Sequence, residues 1–326
     1  MKRFTFLVIT FNHEEYILEH LESIKYLIDN YGEHIDVSIV ISDDASRDDT
    51  VALCQFWLDK NRGLFDNVEM LTRKINVGVC ESVLDLVNLI NTKYFKLTAG
   101  DDIYSCENLF RDFELIKDFE IVSGIPLNLV DGVVYKSKFN VFNIFATKEI
   151  YSGSDYIEKL KRISFSFAPA MVYSYDAISN DEIKRFLGEF SVIEDFPLHI
   201  KMAEVFRPLR FFQSSLVYVY YRRTPGSIYL VRGGEYDKDK LKAFNYLFEN
   251  DKGYVGRLLL ANRMYCYRSN NRFKKTFLNL SYYLYAFNII INLWRILPAY
   301  FRFNTCLSKH QAHYNFIRTQ ASKVEI

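Results

Sequence analysis

Asp101 and Asp102 are adjacent carboxylates that directly follow the apolar run Tyr94-Phe-Lys-Leu-Thr-Ala-Gly100. The run reads as a buried strand, with Ala99-Gly100 as its small-residue exit. Two acids at the C-terminal end of a strand are costly unless a cation or hydrogen-bond donors neutralise them. In α/β sheets that edge is also where ligands bind. A divalent cation held by one or two carboxylates plus diphosphate oxygens satisfies both conditions. On its own the dipeptide reads more readily as a loop with solvated acids. Three more short motifs give it weight: Val8-Ile-Thr-Phe-Asn12, Asp43-Asp44 with Ser46 and Thr50 placed to cap the next helix, and Glu194-Asp195 before Phe196-Pro-Leu198.

The elements that would position these motifs alternate. Residues 4–9 form a β-rich run, and 14–27 place Tyr16, Ile17, Leu21, Ile24 and Leu27 near helical spacing. A strand over 37–42, a helix over 49–60, a strand over 68–71, a helix over 79–90 and a strand over 94–98 follow. This pattern predicts a parallel sheet covered on both faces, with right-handed crossovers. The ends of strands one, two and four then share an edge, where a nucleotide could lie with a metal bridging its phosphates. After residue 103 the alternation weakens. Residues 133–145 read as an aromatic strand, 154–161 as a short helix and 169–173 as a strand. A helix over 181–190, a Tyr-rich strand over 216–222 and a helix over 236–248 follow, with no internal repeat.

Charge divides the chain more sharply than composition does. Of 326 residues, 49% are hydrophobic and 17% aromatic, enough for one large domain and an appendage. The net charge of +1 hides an asymmetry. Residues 253–326 carry eleven Lys or Arg and one acid, Glu325, a net of +10; the first 252 carry 30 basic and 39 acidic residues, a net of −9. Such asymmetry points to a membrane or nucleic-acid contact. The first domain has no basic stripe, which argues against nucleic acid. Residues 273–303 are rich in Phe, Tyr, Leu and Ile, are interrupted by Asn279, Asn288, Asn292 and Arg295, and end near Pro298. A spanning helix wants about 20 mainly apolar residues. The polar breaks and aromatic excess fit an interfacial helix better, with Arg272, Lys274, Lys275, Arg295 and Arg302 meeting anionic headgroups. The alternative is an ordinary core helix. Five scattered cysteines without a C-x-x-C pair read as reduced thiols of a cytoplasmic protein. The N-terminus starts like a signal peptide, but its apolar part is short and Asn12-His-Glu-Glu15 stands where a cleavage site would.

Taken together, the motifs resemble the family 2 glycosyltransferases of the GT-A fold. The matching stretches are Ile9-Thr-Phe-Asn12, Ser42-Asp-Asp-Ala-Ser-Arg-Asp-Asp-Thr50, Asn76-Val-Gly78, Gly100-Asp-Asp-Ile103, Ile193-Glu-Asp-Phe-Pro-Leu198 and Tyr221-Arg-Arg-Thr-Pro-Gly-Ser-Ile228, in the family's order over about residues 3–230. The resemblance implies an α/β, Rossmann-like, mostly parallel sheet flanked by helices. It implies a catalytic domain over 1–230, with a nucleotide-binding half over 1–103 and an acceptor half over 104–230, and a helical, amphipathic, membrane-associated region over 231–326. It further implies that Asp44 contacts uracil, Asp101 the ribose or sugar, that Asp102 ligates Mn²⁺ or Mg²⁺, and that Asp195 is the catalytic base. Thr10, Asn12, Asp43 and Arg222 would complete the nucleotide site. Two departures stand out. Many relatives carry an acid two residues before the second Asp, where this chain has Gly100. The Gln-x-x-Arg-Trp motif of processive members is absent, which favours addition of one sugar.

The expected activity is therefore inverting transfer of one hexose, glucose or galactose, from a UDP-sugar to a lipid-diphosphate-linked sugar. The setting would be O-antigen or capsule assembly at the cytoplasmic face of the inner membrane. Another nucleotide sugar, or a non-catalytic nucleotide-binding membrane adaptor, are the alternatives. Each residue also has a plainer reading: Asp44 as a turn residue, Asp195 as a cap for the helix at Pro197, Arg222 and Arg223 as solvated cations, and the Tyr-rich strand as packing. His13 and His199, near the motifs, are left out as ordinary surface or core histidines.

Overall fold

The computed structural model describes residues 2–112, 115, 117–223, 233–269 and 271–324. β1 (Lys2–Thr10), α1 (Ile17–Tyr31), β2 (Ile35–Asp43), α2 (Thr50–Asn61), β3 (Asn67–Thr72), α3 (Val79–Asn88) and β4 (Tyr94–Ala99) alternate as expected. Their strands lie in the order β3-β2-β1-β4, all parallel. The reason is visible in the side chains. β1 and β2 are nearly continuous apolar runs, which suits strands buried on both faces. Phe4, Phe6, Val8 and Ile39 face α1 and α2, packing with Leu21, Ile24 and Trp57. Leu7, Val40 and Leu97 point the other way, onto Val83, Leu86 and Val87 of α3. The period-two alternation of a strand does this sorting. Trp57 is fully buried, and its indole N–H donates to Glu22 Oε1 at 2.6 Å.

The second half of the sheet is mixed. β5 (Ile103–Tyr104), β6 (Ile121–Val130), β7 (Val133–Tyr135), β8 (Met171–Ser174) and β9 (Phe211–Arg222) extend it in the order β4-β8-β6-β9-β5, with β7 on β6. β8 is antiparallel to both β4 and β6, while β6 and β9 run parallel. Here the sequence reading needs correction. Only 133–135 of the expected 133–145 strand is β; Lys138–Ile150 is a helix. The Ser137 side chain accepts from Asn140 N at 3.2 Å to start it, and Val141, Ile144 and Phe145 fall on its buried face. β6 was not expected at all, although it pairs with three strands.

Helices Tyr156–Lys161, Asp181–Leu187 and Asp195–Val205 come between β7 and β9 in the chain, and five further helices, Glu235–Asn250, Tyr254–Arg268, Arg272–Phe277, Leu280–Arg302 and Leu307–Ala321, follow β9. Leu280–Arg302 is long and apolar enough to cross a membrane by length and composition, yet only 11% of its most apolar window is buried. It is not an ordinary core helix.

β6 is kinked where its pairing register to β9 shifts between Ser123 and Ile125. At this kink a Cβ on Gly124 would lie 2.2 Å from the Tyr218 ring, and that ring is tethered through its hydroxyl to Asp112. Gly124→Ala should therefore cost about 1–3 kcal/mol in urea unfolding. An unchanged midpoint would mean that the ring can move aside.

Candidate active site

The strand ends of β1 and β4 and the 191–195 loop enclose a cavity of about 440 Å³. Asp101, Asp102, Glu194 and Asp195 all line it, together with His13, Arg222, Tyr173 and Tyr236. Carboxylates more than ninety residues apart thus share one space. Thr10, Asn12, Asp43 and Asp44 do not line it. Their work is in the loops behind.

Those loops are bound to one another through short polar side chains. Asn12 stands in the left-handed region (φ 53), and so does Ala45 (φ 67), as the chain turns sharply after β1 and β2. Asn12 N donates to Ser46 Oγ at 2.8 Å, and Arg47 N to Asn12 Oδ1 at 2.9 Å. His13 N donates to Thr50 Oγ1 at 2.8 Å. Asp43 accepts from Ser46 N at 2.9 Å and from the Ser46 hydroxyl. Asp44 spends both oxygens on Val77 N and Gly78 N, each at 2.9 Å, and Thr10 is buried within β1. The acidic motif after β2 is therefore a clamp that joins three loops at the sheet edge.

The clamp reaches the far wall through Gly78. Its φ of +94 and its closeness to Ser191 O, 2.6 Å from where a Cβ would sit, both demand glycine. Cys80 N also donates to Ser191 O at 3.2 Å. From the other side Asp239, buried on helix Glu235–Asn250, accepts from the backbone N–H of Ser191, Val192 and Ile193 at 2.9, 2.8 and 3.2 Å. The stretch that leads into Glu194 and Asp195 is thus held by two elements at once. Asp195 is the first residue of helix Asp195–Val205 rather than its cap, and its Oδ1 accepts from Phe196 N at 2.6 Å.

Arg222 joins the other wall to the sheet. Its backbone N donates to Asp102 Oδ1 at 2.9 Å, its Nε to Asp101 O at 2.7 Å, and its guanidinium pairs with Glu19 and lies 4.6 Å from the Tyr16 ring centre. The rest of the Tyr221–Ile228 motif, 224–228, lies outside the described residues. Asp102 is only 1% exposed. Burial first, and then the charge of Asp101, push its pKa well up, opposed by the Arg222 N–H and Lys96. Lys96 is itself fully buried on β4, donates to Met171 O at 3.3 Å, and is pushed down to about 7 by burial. Glu194 is pushed up to about 8 by burial, with the Asp195 charge adding to it.

His13 was passed over in the sequence and belongs to this wall. Its Nδ1 is buried without a partner, 3.2 Å from where a Cβ on Gly100 would lie. Ile17 Cδ1, 2.8 Å from the same point, and this imidazole together fill the space that a side chain at position 100 would need. Asp239 and Glu19 gave no motif signal, because their roles depend on long-range contacts.

The cavity also fits a divalent cation. Among the described residues, four carboxyls line it against one arginine already paired with Glu19. An anionic diphosphate would be repelled from such a wall without a cation. No cluster of three or more His, Cys, Asp or Glu side chains forms a protein-only cage among the described residues. Mg²⁺ and similar ions are held by one or two carboxylates, with phosphate oxygens and water supplying the remaining ligands.

Residues 5–164 match the family model for glycosyl transferase family 2. The chain carries a family 2 glycosyltransferase domain. Its fold is GT-A. TarS residues 1–349 from S. aureus, solved with UDP-GlcNAc, share 16% identity over 82% of this chain and 72% of that one, with a TM-score of 0.57. The mannosyltransferase PcManGT from Pyrobaculum calidifontis, solved with GDP-Man and Mn²⁺, shares 14% over 98% and 86%, with a TM-score of 0.54. At such identities the likeness is one of fold. No curated protein matches the chain.

Two consequences of this glycosyltransferase wall are measurable. Gly78→Ala forces both a strained φ and a contact with Ser191 O, so it should cost about 1–3 kcal/mol in urea unfolding; an unchanged stability would show that the two loops are not locked together. Glu194 holds its proton in the fold up to about pH 8, against an ordinary 4.5. Between those values the folded state binds a proton that the unfolded state has lost, so stability falls as pH rises. Glu194→Gln should flatten the fall in Tm from about pH 5 to 8. An unaltered slope would contradict the assignment.

Proposed function

We propose that the protein is an inverting, non-processive glycosyltransferase. It moves one hexose from a UDP-sugar to a lipid-diphosphate-linked sugar of the GlcNAc-diphosphate-lipid type, at the cytoplasmic face of the inner membrane, in surface polysaccharide (O-antigen or lipopolysaccharide) synthesis. The observation that carries this reading is the shared cavity: Asp101, Asp102, Glu194 and Asp195 line one space of about 440 Å³. The absence of a Gln-x-x-Arg-Trp motif supports single addition.

In this reading the donor diphosphate lies along the β4 edge, with Asp101 at the ribose or sugar and Asp102 as the protein ligand to Mn²⁺ or Mg²⁺. When bound, the cation neutralises charge on the departing diphosphate. Arg222, fixed by Glu19 and the Asp101 carbonyl, holds the Asp102 carboxylate through its backbone N–H. Thr10, Asn12, Asp43 and Asp44 act by keeping the three loops in register around the nucleotide. Asp195 takes the proton of the acceptor hydroxyl as it attacks opposite the diphosphate, giving a β linkage from an α-linked donor. Glu194, beside it in the chain, is kept protonated by burial. His199, buried behind Asp195 and bonded to Tyr173 at 3.1 Å, is pushed down to about 4 by burial and so stays neutral during turnover.

A second donor reading, UDP-N-acetylhexosamine, is favoured by the UDP-GlcNAc that occupies the similarly folded TarS. A panel of radiolabelled nucleotide sugars with a synthetic diphospholipid acceptor separates the two. On the active donor, Asp195→Asn should lower kcat by about 10²–10⁴ while UDP binding and Tm stay near wild type. Turnover within a few-fold of wild type would remove Asp195 as the base, and a panel with no transfer from any donor would favour a binding protein.

A further inference from the structure

The helix Leu280–Arg302 uses one face along its whole length. Tyr285 donates its hydroxyl to Asn143 Oδ1 at 2.9 Å, Arg295 pairs with Glu149 at 3.1 Å, Ile296 is fully buried, and Tyr300 meets Phe142 edge-on at 5.7 Å. All these partners sit on helix Lys138–Ile150. From Tyr285 to Tyr300 the contacts cover about 22 Å of helix. Both ends are fastened as well. Asn262 of helix Tyr254–Arg268 donates to Leu278 O at 2.9 Å and accepts from Leu280 N at 2.8 Å. After the helix, Leu307–Ala321 returns to the sheet, where Tyr220 Oη bonds His310 Nδ1 at 2.9 Å and Gln311 accepts from Val134 N at 2.8 Å.

Among the described residues, none packs over the opposite face. Tyr283, Phe287, Ile290, Trp294 and Phe301 recur at helical spacing and are exposed, Trp294 by 75%. Leu258 and Tyr265, also exposed, flank Asn262 on their own helix, so its clasp makes the two apolar stripes neighbours. A cleft of about 450 Å³ at the start of that helix sets Lys252 and Arg257 beside Tyr254 and Leu258. Lys274 lies over the Tyr265 ring at 5.9 Å. Residues 253–324 contain no acid.

We propose that this face is an in-plane docking surface for an anionic phospholipid leaflet, and that Leu280–Arg302 lies in the interface without crossing it. A spanning helix would have to strip every contact to Lys138–Ile150 and bring Arg295 into hydrocarbon while leaving Glu149 unpaired. A second copy is disfavoured as occupant, because two strongly cationic faces would meet. Aromatic and aliphatic side chains rimmed by Lys and Arg match the headgroup boundary instead. The proposal does not depend on the transferase reading.

The test uses the full chain with vesicles of phosphatidylcholine, with and without about one third phosphatidylglycerol. Sedimentation should show binding to the anionic vesicles at least about tenfold tighter than to the neutral ones. Trp294 fluorescence should be quenched most by lipids brominated near the headgroup, while Trp57, buried in the core, stays silent. The double variant Phe287→Glu with Ile290→Glu should lose about tenfold in binding with Tm and circular dichroism unchanged. Greatest quenching by lipids brominated near the chain ends would mean a spanning helix and overturn the proposal. So would absence of anionic binding, or a double variant that binds as wild type.

Discussion

Asp102 imposes the constraint on which the rest of the structure depends. A carboxylate at the C-terminal end of a central parallel strand, almost without solvent, cannot stay charged unless donors or a cation compensate it. The fold answers from several directions. Arg222 reaches it from β9 with a backbone N–H, and Lys96, a fully buried amine on β4, acts on it through its charge. His20 of α1 bonds its carbonyl at 2.7 Å. These partial compensations position the group without neutralising it fully, which is the condition under which a divalent cation and a diphosphate gain most by arriving together.

The two walls of the cavity are coupled by backbone rather than by direct side-chain pairs. Asp44 grips the Val77–Gly78 amides, Gly78 lies close against Ser191, and Asp239 draws in the amides of Ser191, Val192 and Ile193. Carboxylates accepting backbone N–H bonds hold loops as a helix cap holds a terminus. Asp43 and Asp44, which stand out in the sequence, are used in this way. Asp239 does the same work from a helix that no motif marks.

Legibility in the sequence followed the range of the determining contact. β1 to β4 and their helices were readable because each is specified by its own apolar periodicity. Asp101, Asp102 and Asp195 were readable because adjacent acids at strand and helix boundaries are costly and therefore conspicuous. β6 was missed because Gly124 and Pro126 weaken its local β signal, while its three pairing partners specify it from afar. Lys138–Ile150 looked like a strand through its β-branched and aromatic residues, and only its cap and packing make it helical. His13 was dismissed as a lone histidine; its place against Gly100 exists only in three dimensions.

The most direct measurement is the anomalous difference map of crystals soaked with UDP and Mn²⁺. The account predicts one manganese peak beside the Asp102 carboxylate, with diphosphate density running from it along the β4 edge toward the 191–195 loop. Nucleotide density outside the cavity bounded by Asp101, Asp102 and Asp195, or an ordered UDP with no metal near Asp102, would contradict it.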